Sequence, residues 1–313
     1  MIFTGFADEA GALLSVQIAA TKALGWHHIE MRNVKVEGAL GASGADFAEG
    51  ALSAVAGGNI HDIPDDAFER LVTVLEEADV QINCFGSALA NGSKSIEAPF
   101  EAEWQEAKRA AQRMERLNTK LIRVMSYRAL PGENQMAAER FRRLREMGKL
   151  FADIGAQMVH ENCTGYGGNS AQNTLEMLDA VPGLKLVFDM GNPTREADMS
   201  KPPDEAGERP RQSAWEFYSQ VKPHIAYIHI KDGIYDEATR KHQWVMAGEG
   251  QGDVKRILAD LLANDYDGGL SIEPHLPTER LPALEPSEAR FQNYLDYGRR
   301  AMALVEEIQG GSK

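Results

Sequence analysis

Hydrophobic and polar positions follow one another in a repeating order along this chain. Short runs of β-branched and apolar residues alternate with longer amphipathic segments, a pattern typical of parallel strands joined by crossover helices. The pattern predicts eight strands, at residues 2–7, 27–32, 80–85, 121–126, 158–161, 184–189, 225–230 and 270–273. It also predicts eight helices, at about 12–25, 66–79, 98–117, 135–154, 170–180, 211–221, 252–264 and 286–307.

Eight consecutive strand–helix units favour a closed barrel over an open sheet. An open doubly wound sheet usually carries a glycine-rich phosphate loop after its first strand, whereas here the strand ends in Gly5-Phe6-Ala7-Asp8-Glu9. Barrels of this kind often reach the length of this chain, 313 residues, as one domain. The predicted fold is therefore α/β, a single-domain (β/α)8 TIM barrel over residues 1–313.

Two segments interrupt the regular spacing of the units. One is the Gly- and Ala-rich stretch at about 34–58, and the other is the polar, Pro-containing stretch at about 194–210. Both follow predicted strands and so fall on the face of a barrel that carries catalytic residues. We expect them to be lids or subunit contacts, with solvated insertions as the alternative.

Acidic residues outnumber basic ones, 47 to 33, and the formal net charge is −14. Because such a surface repels a phosphate backbone, nucleic acid is not an expected partner. The sequence has no apolar run of the roughly 20 residues that span a bilayer, and its beginning, MIFTGFADEAG, lacks the marks of a signal peptide. We therefore expect no membrane partner and a cytoplasmic location.

Four side chains of metal-ligand type stand at the ends of the last four predicted strands. They are Glu161, Asp189, His229 and Glu273, each after an apolar run. A single carboxylate at a strand end is more often a helix cap or loop anchor, but four in succession are hard to explain in that way. Because strand ends of a barrel converge on its axis, these side chains are expected to meet around one ion.

Three carboxylates and one imidazole make an oxygen-rich ligand set. Such a set suits one divalent ion with open positions for substrate better than a closed structural zinc site. Mn²⁺ is the expected ion, with Mg²⁺, Co²⁺ and Zn²⁺ as alternatives. A near-neutral site of this kind favours a small polyhydroxylated substrate, which can bind the ion through adjacent oxygens.

Further polar residues lie near the predicted mouth and are candidates for substrate binding or catalysis. Glu30 and Arg32 alternate along the second strand, so that Arg32 binds either a substrate oxygen or Glu30. Lys231 follows a predicted ligand and could contact a substrate oxygen or remain solvated. His275 is a catalytic candidate, and His160 is a substrate-binding candidate that strand alternation instead favours as a core or supporting residue.

The segments GFADEA, HIEMRN, HEN, FDMGN, YIHIKD, GEGQGD and SIEPH resemble the sugar phosphate isomerase/epimerase-like group of the xylose-isomerase-like barrels. The resemblance extends over nearly the whole chain. It implies that Glu161, Asp189, His229 and Glu273 hold the metal, and that Glu161 and Glu273 also move the substrate proton, as in ketose 3-epimerases. It further implies a metal-dependent sugar isomerase or epimerase that acts through an enediolate, in a chain that forms homo-oligomers.

Three alternatives stay open at this point. Elimination from a 3-keto-glycoside, by a lyase or deglycosidase, begins with the same proton abstraction next to a carbonyl. A metal-dependent DNA endonuclease is disfavoured because a multi-zinc site needs more histidines at the strand ends, and an inactive sugar-binding protein is disfavoured by the complete ligand set.

Gly248–Asp253 lacks the lysine of a nucleotide-binding loop and is expected to be a flexible loop at the active site.

Overall fold

Eight parallel strands form a barrel in the structure, a computed structural model that describes residues 1–38 and 56–311. The predicted (β/α)8 fold is thus confirmed. The barrel strands are β1 (Ile2–Gly5), β2 (His28–Met31), β5 (Gln81–Gly86), β6 (Leu121–Val124), β7 (Gln157–Glu161), β8 (Lys185–Asp189), β9 (Ile225–Ile230) and β12 (Gly269–Ile272).

The strands pair in the order β1-β12-β9-β8-β7-β6-β5-β2. The remaining seam, between β1 and β2, is closed by a single parallel bridge between Phe6 and Glu30. Phe6 also donates its backbone N–H to the carbonyl of Ile272 at 3.0 Å, so its backbone joins the strands on both sides. The bridge that closes the seam therefore lies near the carboxyl ends of the strands.

The longer helices surround the barrel and bury apolar residues that recur at helical spacing. In α8 the buried residues are Val254, Ile257, Leu258 and Leu261, which recur at the intervals that face one side of a helix. The helices are α1 (Leu14–Ala23), α2 (Asp65–Glu77), α3 (Glu101–Leu117), α4 (Ala137–Asp153), α5 (Ala171–Ala180), α6 (Asn192–Arg195), α7 (Ala214–Val221), α8 (Val254–Ala263) and α9 (Pro286–Gly311).

In the part of the chain that the structure describes, two antiparallel hairpins stand outside the barrel, and neither was predicted. One pairs β3 (Asn33–Val36) with β4 (Ala56–Asn59), and the other pairs β10 (Gly233–Asp236) with β11 (Lys241–Trp244). The first hairpin frames the expected insertion at 34–58, of which residues 39–55 lie outside the described residues. The second insertion, at 194–210, is joined at its ends by a bridge between Ala197 and Arg211.

The predicted strand and helix bounds needed small corrections. The first strand ends at Gly5 rather than residue 7, because residues Ala7–Glu9 form a 3₁₀ turn. The short helix α6 was not predicted, since four residues carry no periodic signal. Across residues 1–38 and 56–311, no helix has the length and apolar character to cross a membrane.

Candidate metal centre and active site

The four predicted ligands come together at the carboxyl ends of the last four barrel strands. Glu161 and Asp189 are the last residues of β7 and β8, His229 lies near the end of β9, and Glu273 directly follows β12. One ligand atom from each lies within 4.8 Å of the others, and all four residues are buried. The chain therefore builds a cluster of the size and composition that one metal ion requires.

One nitrogen of the His229 imidazole contacts a carboxylate at hydrogen-bond distance, and the other has no such partner among the described residues. Nε2 lies 3.0 Å from Glu30 Oε2, and Ser271 Oγ donates to the same oxygen at 2.6 Å. Nδ1 lies 3.7 Å from Glu161 Oε1 and 3.8 Å from both Asp189 Oδ2 and Glu273 Oε2, too far for hydrogen bonds. Nδ1 is thus a buried nitrogen with no hydrogen-bond partner in the described chain, and it faces three carboxylates.

This arrangement fits a divalent cation. Burial lowers the pKa of His229, but the carboxylates of Glu30 and Glu161 outweigh it and raise that pKa to about 10. The same negative charge would attract a cation, which competes with the proton for Nδ1. A carboxylate behind a ligand histidine is the usual support of such a site, because it fixes the tautomer and the ring orientation.

Asp189 presents one oxygen to the cluster because its other oxygen is held by the backbone. Oδ1 accepts hydrogen bonds from the N–H groups of Gly191 and Asn192, at 2.8 and 2.6 Å. Asn162 exchanges two hydrogen bonds with the Asp189 backbone, at 2.6 and 2.9 Å. Burial raises the pKa of Asp189 to about 6 and outweighs the effect of Lys231.

Glu161 is oriented by two neighbours. Arg123, on β6, donates to Oε2 at 2.8 Å, and Asn192 donates to Oε1 at 3.0 Å. Burial raises the pKa of Glu161, but the positive charges of Arg123 and His229 outweigh this effect and lower the pKa to about 2. The carboxylate is therefore held ionised.

Glu273 is contacted by three positively charged or titratable groups. Lys231 Nζ donates to Oε2 at 2.7 Å, Arg32 Nη1 donates to Oε1 at 2.8 Å, and His275 Nε2 lies 3.3 Å from Oε1. Although burial raises the pKa of Glu273, Lys231, His275 and Arg32 hold it well below its usual range.

Arg32 is at the mouth, as predicted, but it does not pair with Glu30. Its guanidinium forms a two-point contact with Asp8 at 3.0 and 3.1 Å and also binds Glu9 at 3.0 Å and Glu273. Glu30 instead lies behind His229, fully buried. One oxygen of the Glu30 carboxylate is occupied by His229 and by Ser271, and the substrate-binding role of Glu30 stays a prediction.

His275 lies beside the cluster in an unusual backbone conformation, with φ of +49°. Its Nδ1 lies 2.8 Å from Glu9 Oε1, and its ring lies 5.5 Å from that of Trp244. Burial lowers the pKa of His275, but Glu273 and Glu9 raise it to about 9. A non-glycine residue held in this conformation is often found at functional sites.

His160 is buried in the barrel wall and is not among the described residues that line the cavity beside the cluster. A Cβ on Gly167 would come within 2.6 Å of its ring, so the imidazole packs closely against that glycine. Burial lowers the pKa of His160 to about 4. The structure therefore places it in the supporting position that strand alternation favours.

A cavity of about 310 Å³ opens beside the cluster. Glu161 and Glu273 line it, whereas Asp189 and His229 are not among the described lining residues. Its other walls include Arg32, Arg123, Asn192, Lys231, Trp244 and His275.

Arg123, Asn192 and Trp244 are among the cavity residues that sequence reasoning missed. Arg123 carried a usable signal, since it is a charge inside an otherwise apolar strand, and Asn192 belongs to the segment FDMGN. Trp244 carried none, because it enters the cavity from a hairpin, β10–β11, that the hydrophobic pattern does not reveal.

The glycine loop after β11 is held in place by one carboxylate. Asp232 accepts the backbone N–H groups of Gly233, Gly248, Gly250 and Gly252 at 2.8–2.9 Å. A Cβ at Gly250 would lie only 2.3 Å from Asp232 Oδ1, so the close approach requires glycine there. The loop expected to be flexible is thus anchored to the segment that directly follows β9.

The fold and the carboxylate–histidine cluster define a class of proteins. These are parallel barrels whose functional site lies at the carboxyl ends of the strands. A family model described as a xylose isomerase-like TIM barrel matches residues 38–299. The chain therefore belongs to the xylose isomerase-like TIM barrel family, as the sequence motifs indicated. No curated protein matches the chain.

Solved structures with the same fold are distant in sequence. A xylose isomerase-like TIM barrel protein from Mycobacterium smegmatis, in complex with magnesium, is 16% identical, with a TM-score of 0.65 over 97% of each chain. D-Allulose 3-epimerase from a Methylomonas species, in complex with D-allulose, is 15% identical, with a TM-score of 0.62 over 98% of this chain and 96% of that one. A probable 3-DHS dehydratase from Bacillus anthracis is 17% identical, with a TM-score of 0.62 over 96% of this chain and 98% of that one.

Proposed function

We propose that the chain is a sugar isomerase or epimerase that depends on one divalent metal ion. The observation that carries the proposal is the buried cluster of Glu161, Asp189, His229 and Glu273, in which Nδ1 of the histidine faces three carboxylates. Mn²⁺ is the preferred candidate, with Mg²⁺, Co²⁺ and Zn²⁺ as alternatives. A similar fold solved with magnesium supports a divalent ion.

The proposed reaction begins with removal of the proton next to a sugar carbonyl. When bound, the ion would stabilise the negative charge that develops on the enediolate oxygens. The protein supplies the base, and returning the proton to the opposite face of the same carbon inverts its configuration. Returning it to the neighbouring carbon gives isomerisation instead.

Glu161 and Glu273 are the proposed bases because, of the four ligands, they are the two that line the cavity. Each carboxylate is oriented by cationic partners, Arg123 for the first and Arg32 and Lys231 for the second. These bonds keep both carboxylates ionised and fix their orientation, so that the side chains need not rearrange before proton transfer.

The other walls of the cavity suit a small carbohydrate. Trp244 offers an aromatic face on which the C–H groups of a sugar can pack, and the proposed substrate-binding roles of Arg32 and Lys231 are hydrogen bonds to sugar oxygens. His275, held by Glu9 at 2.8 Å, is proposed to carry a proton to or from a hydroxyl. The net charge of −14 supports a sugar rather than nucleic acid.

The proposal is tested by incubating the Mn²⁺-loaded protein in D₂O with ketoses, ketose phosphates and 3-keto-glycosides. We expect deuterium to enter the carbon next to the carbonyl, together with an epimer or isomer that chromatography resolves. Release of the aglycone from a 3-keto-glycoside would indicate that the reaction is an elimination rather than an epimerisation, catalysed at the same site. Absence of both deuterium and product with every class would overturn the proposed function.

A further inference from the structure

Lys231 places an ammonium group on two of the four proposed metal ligands. Its Nζ donates to Glu273 Oε2 at 2.7 Å and lies 3.0 Å from Asp189 Oδ2. These are the same two oxygens that lie 3.8 Å from His229 Nδ1. The side chain of Lys231 is only 3% exposed, so solvent screens its charge little.

The fold builds this position for the lysine from two sides. A Cβ at Gly191 would lie 2.7 Å from Lys231 Cγ and 2.9 Å from its Cβ, so only glycine lets the aliphatic stem pass so close to the end of β8. On the cavity side, Nζ lies 5.0 Å from the centre of the Trp244 ring, within the range of a cation–π contact. The ammonium is therefore held at the cluster and is not a mobile surface charge.

An ammonium and a divalent ion need the same carboxylate oxygens at this point. The carboxylates of Glu161, Asp189 and Glu273 are all buried, and burying several like charges without compensation is costly. Lys231 supplies that compensation to two of them, and a bound ion would supply it to all three. Because the two cations carry like charge, each weakens the binding of the other.

We propose that Lys231 is an internal counter-cation that competes with the metal ion for the oxygens of Asp189 and Glu273, and that it thereby sets the affinity of the site for the ion. The proposal rests on the proposed function, since it concerns the same metal site. It assigns to Lys231 a role beyond contact with the substrate: the lysine stabilises the folded chain without an ion and makes the ion exchangeable.

The test is calorimetric titration of the full chain with Mn²⁺. Lys231→Met keeps most of the stem and removes the charge, and we expect its Kd for Mn²⁺ to fall about tenfold or more, because a like charge in contact with the ligands has gone. Lys222→Met, which removes a surface lysine paired with Asp260, is the control. It should leave Kd within about twofold of wild type, because solvent screens the charge of this exposed lysine. An unchanged or higher Kd for Lys231→Met overturns the proposal, and Lys231→Gln gives the same decision if the methionine variant does not fold.

Thermal unfolding separates this proposal from the proposed function. In EDTA, Lys231→Met should have a lower Tm than wild type, because Asp189 loses the ammonium group 3.0 Å from its Oδ2 and Glu273 loses one of its three positively charged or titratable partners. Added Mn²⁺ should narrow this difference in Tm. If wild type binds no Mn²⁺, the proposed function fails, but the comparison in EDTA still applies to Lys231. Equal Tm values in EDTA would show that the lysine is not a counter-cation.

Discussion

Glu30 Oε2 lies 3.0 Å from His229 Nε2 and takes a second hydrogen bond from Ser271 Oγ. The carboxylate comes from β2 and the histidine from β9, so the contact crosses the interior of the barrel. It leaves Nδ1 of the imidazole as the nitrogen that faces Glu161, Asp189 and Glu273. The orientation of the histidine among the four proposed ligands thus depends on Glu30, which is not one of those four residues.

Replacing Glu30 by Gln should therefore weaken metal binding without removing a ligand. The amide lacks the negative charge that supports the imidazole, and loss of such a supporting group typically costs about 10- to 100-fold in metal affinity. The measurement is a Mn²⁺ titration of the variant. Glu77→Gln, on the exposed side of α2, is the matched control, and a wild-type affinity for Glu30→Gln would contradict the inferred role.

Replacing Asp189 by Asn or Ala should remove most of the bound ion. Asp189 Oδ2 is the oxygen that faces the cluster, while Oδ1 is held by two backbone N–H groups. Metal analysis of the dialysed protein should give about one divalent ion per chain for wild type and little for either variant. Asp179→Asn, at an exposed position on α5, should behave as wild type; an Asp189→Ala protein that retains its ion as tightly would refute the ligand assignment.

Replacing Glu161 or Glu273 by Gln should reduce turnover more than substrate binding. Glutamine keeps the shape of the side chain and an oxygen that can still contact an ion, but it removes the base. Loss of a positioned general base costs about 10²–10⁴-fold in rate. Metal occupancy is measured on the same samples, and if both variants keep the ion and exchange the α-proton with solvent at nearly the wild-type rate, His275 becomes the next candidate base.

Replacing Trp244 by Ala should lower kcat/KM mainly through KM, by about tenfold, because the sugar loses an aromatic packing surface. The Mn²⁺ affinity should change less than in Lys231→Met, because Lys231 Nζ keeps its contacts with Glu273 and Asp189. Steady-state kinetics on the substrate found in D₂O measure the effect. Trp215→Phe, on the outer helix α7, is the control, and a loss confined to kcat would argue against packing on the substrate.

The barrel and the clustering of the four proposed ligands could be predicted because both follow from the local pattern of the chain. Each of the four residues follows an apolar run, and the geometry of a barrel brings the ends of those runs together. The partners of the ligands could not be found in this way. Whether Arg32 binds Glu30 or Asp8 depends on side-chain directions between elements distant in sequence, and the pattern along a single strand does not contain them.

The hairpin that carries Trp244 escaped prediction for a different reason. Its strands, Gly233–Asp236 and Lys241–Trp244, are four residues each and partly exposed. They contain few apolar residues, so the hydrophobic pattern of the sequence gives little sign of a strand there. The role of Asp232 was hidden as well, because it acts on backbone N–H groups rather than on a recognisable side chain. Residues that shape the rim of the site are therefore less visible in the sequence than residues at its base.

The bridge between Phe6 and Glu30 links the integrity of the barrel to the chemistry at its mouth. Glu30 takes part in joining the first two strands and also orients the imidazole of His229, so a chain whose seam has not closed presents a histidine without its support. The affinity for the proposed ion then reports on assembly as well as on ligand identity. In a purified preparation, chains in which the two ends of the sheet have met should bind Mn²⁺ more tightly than chains in which they have not.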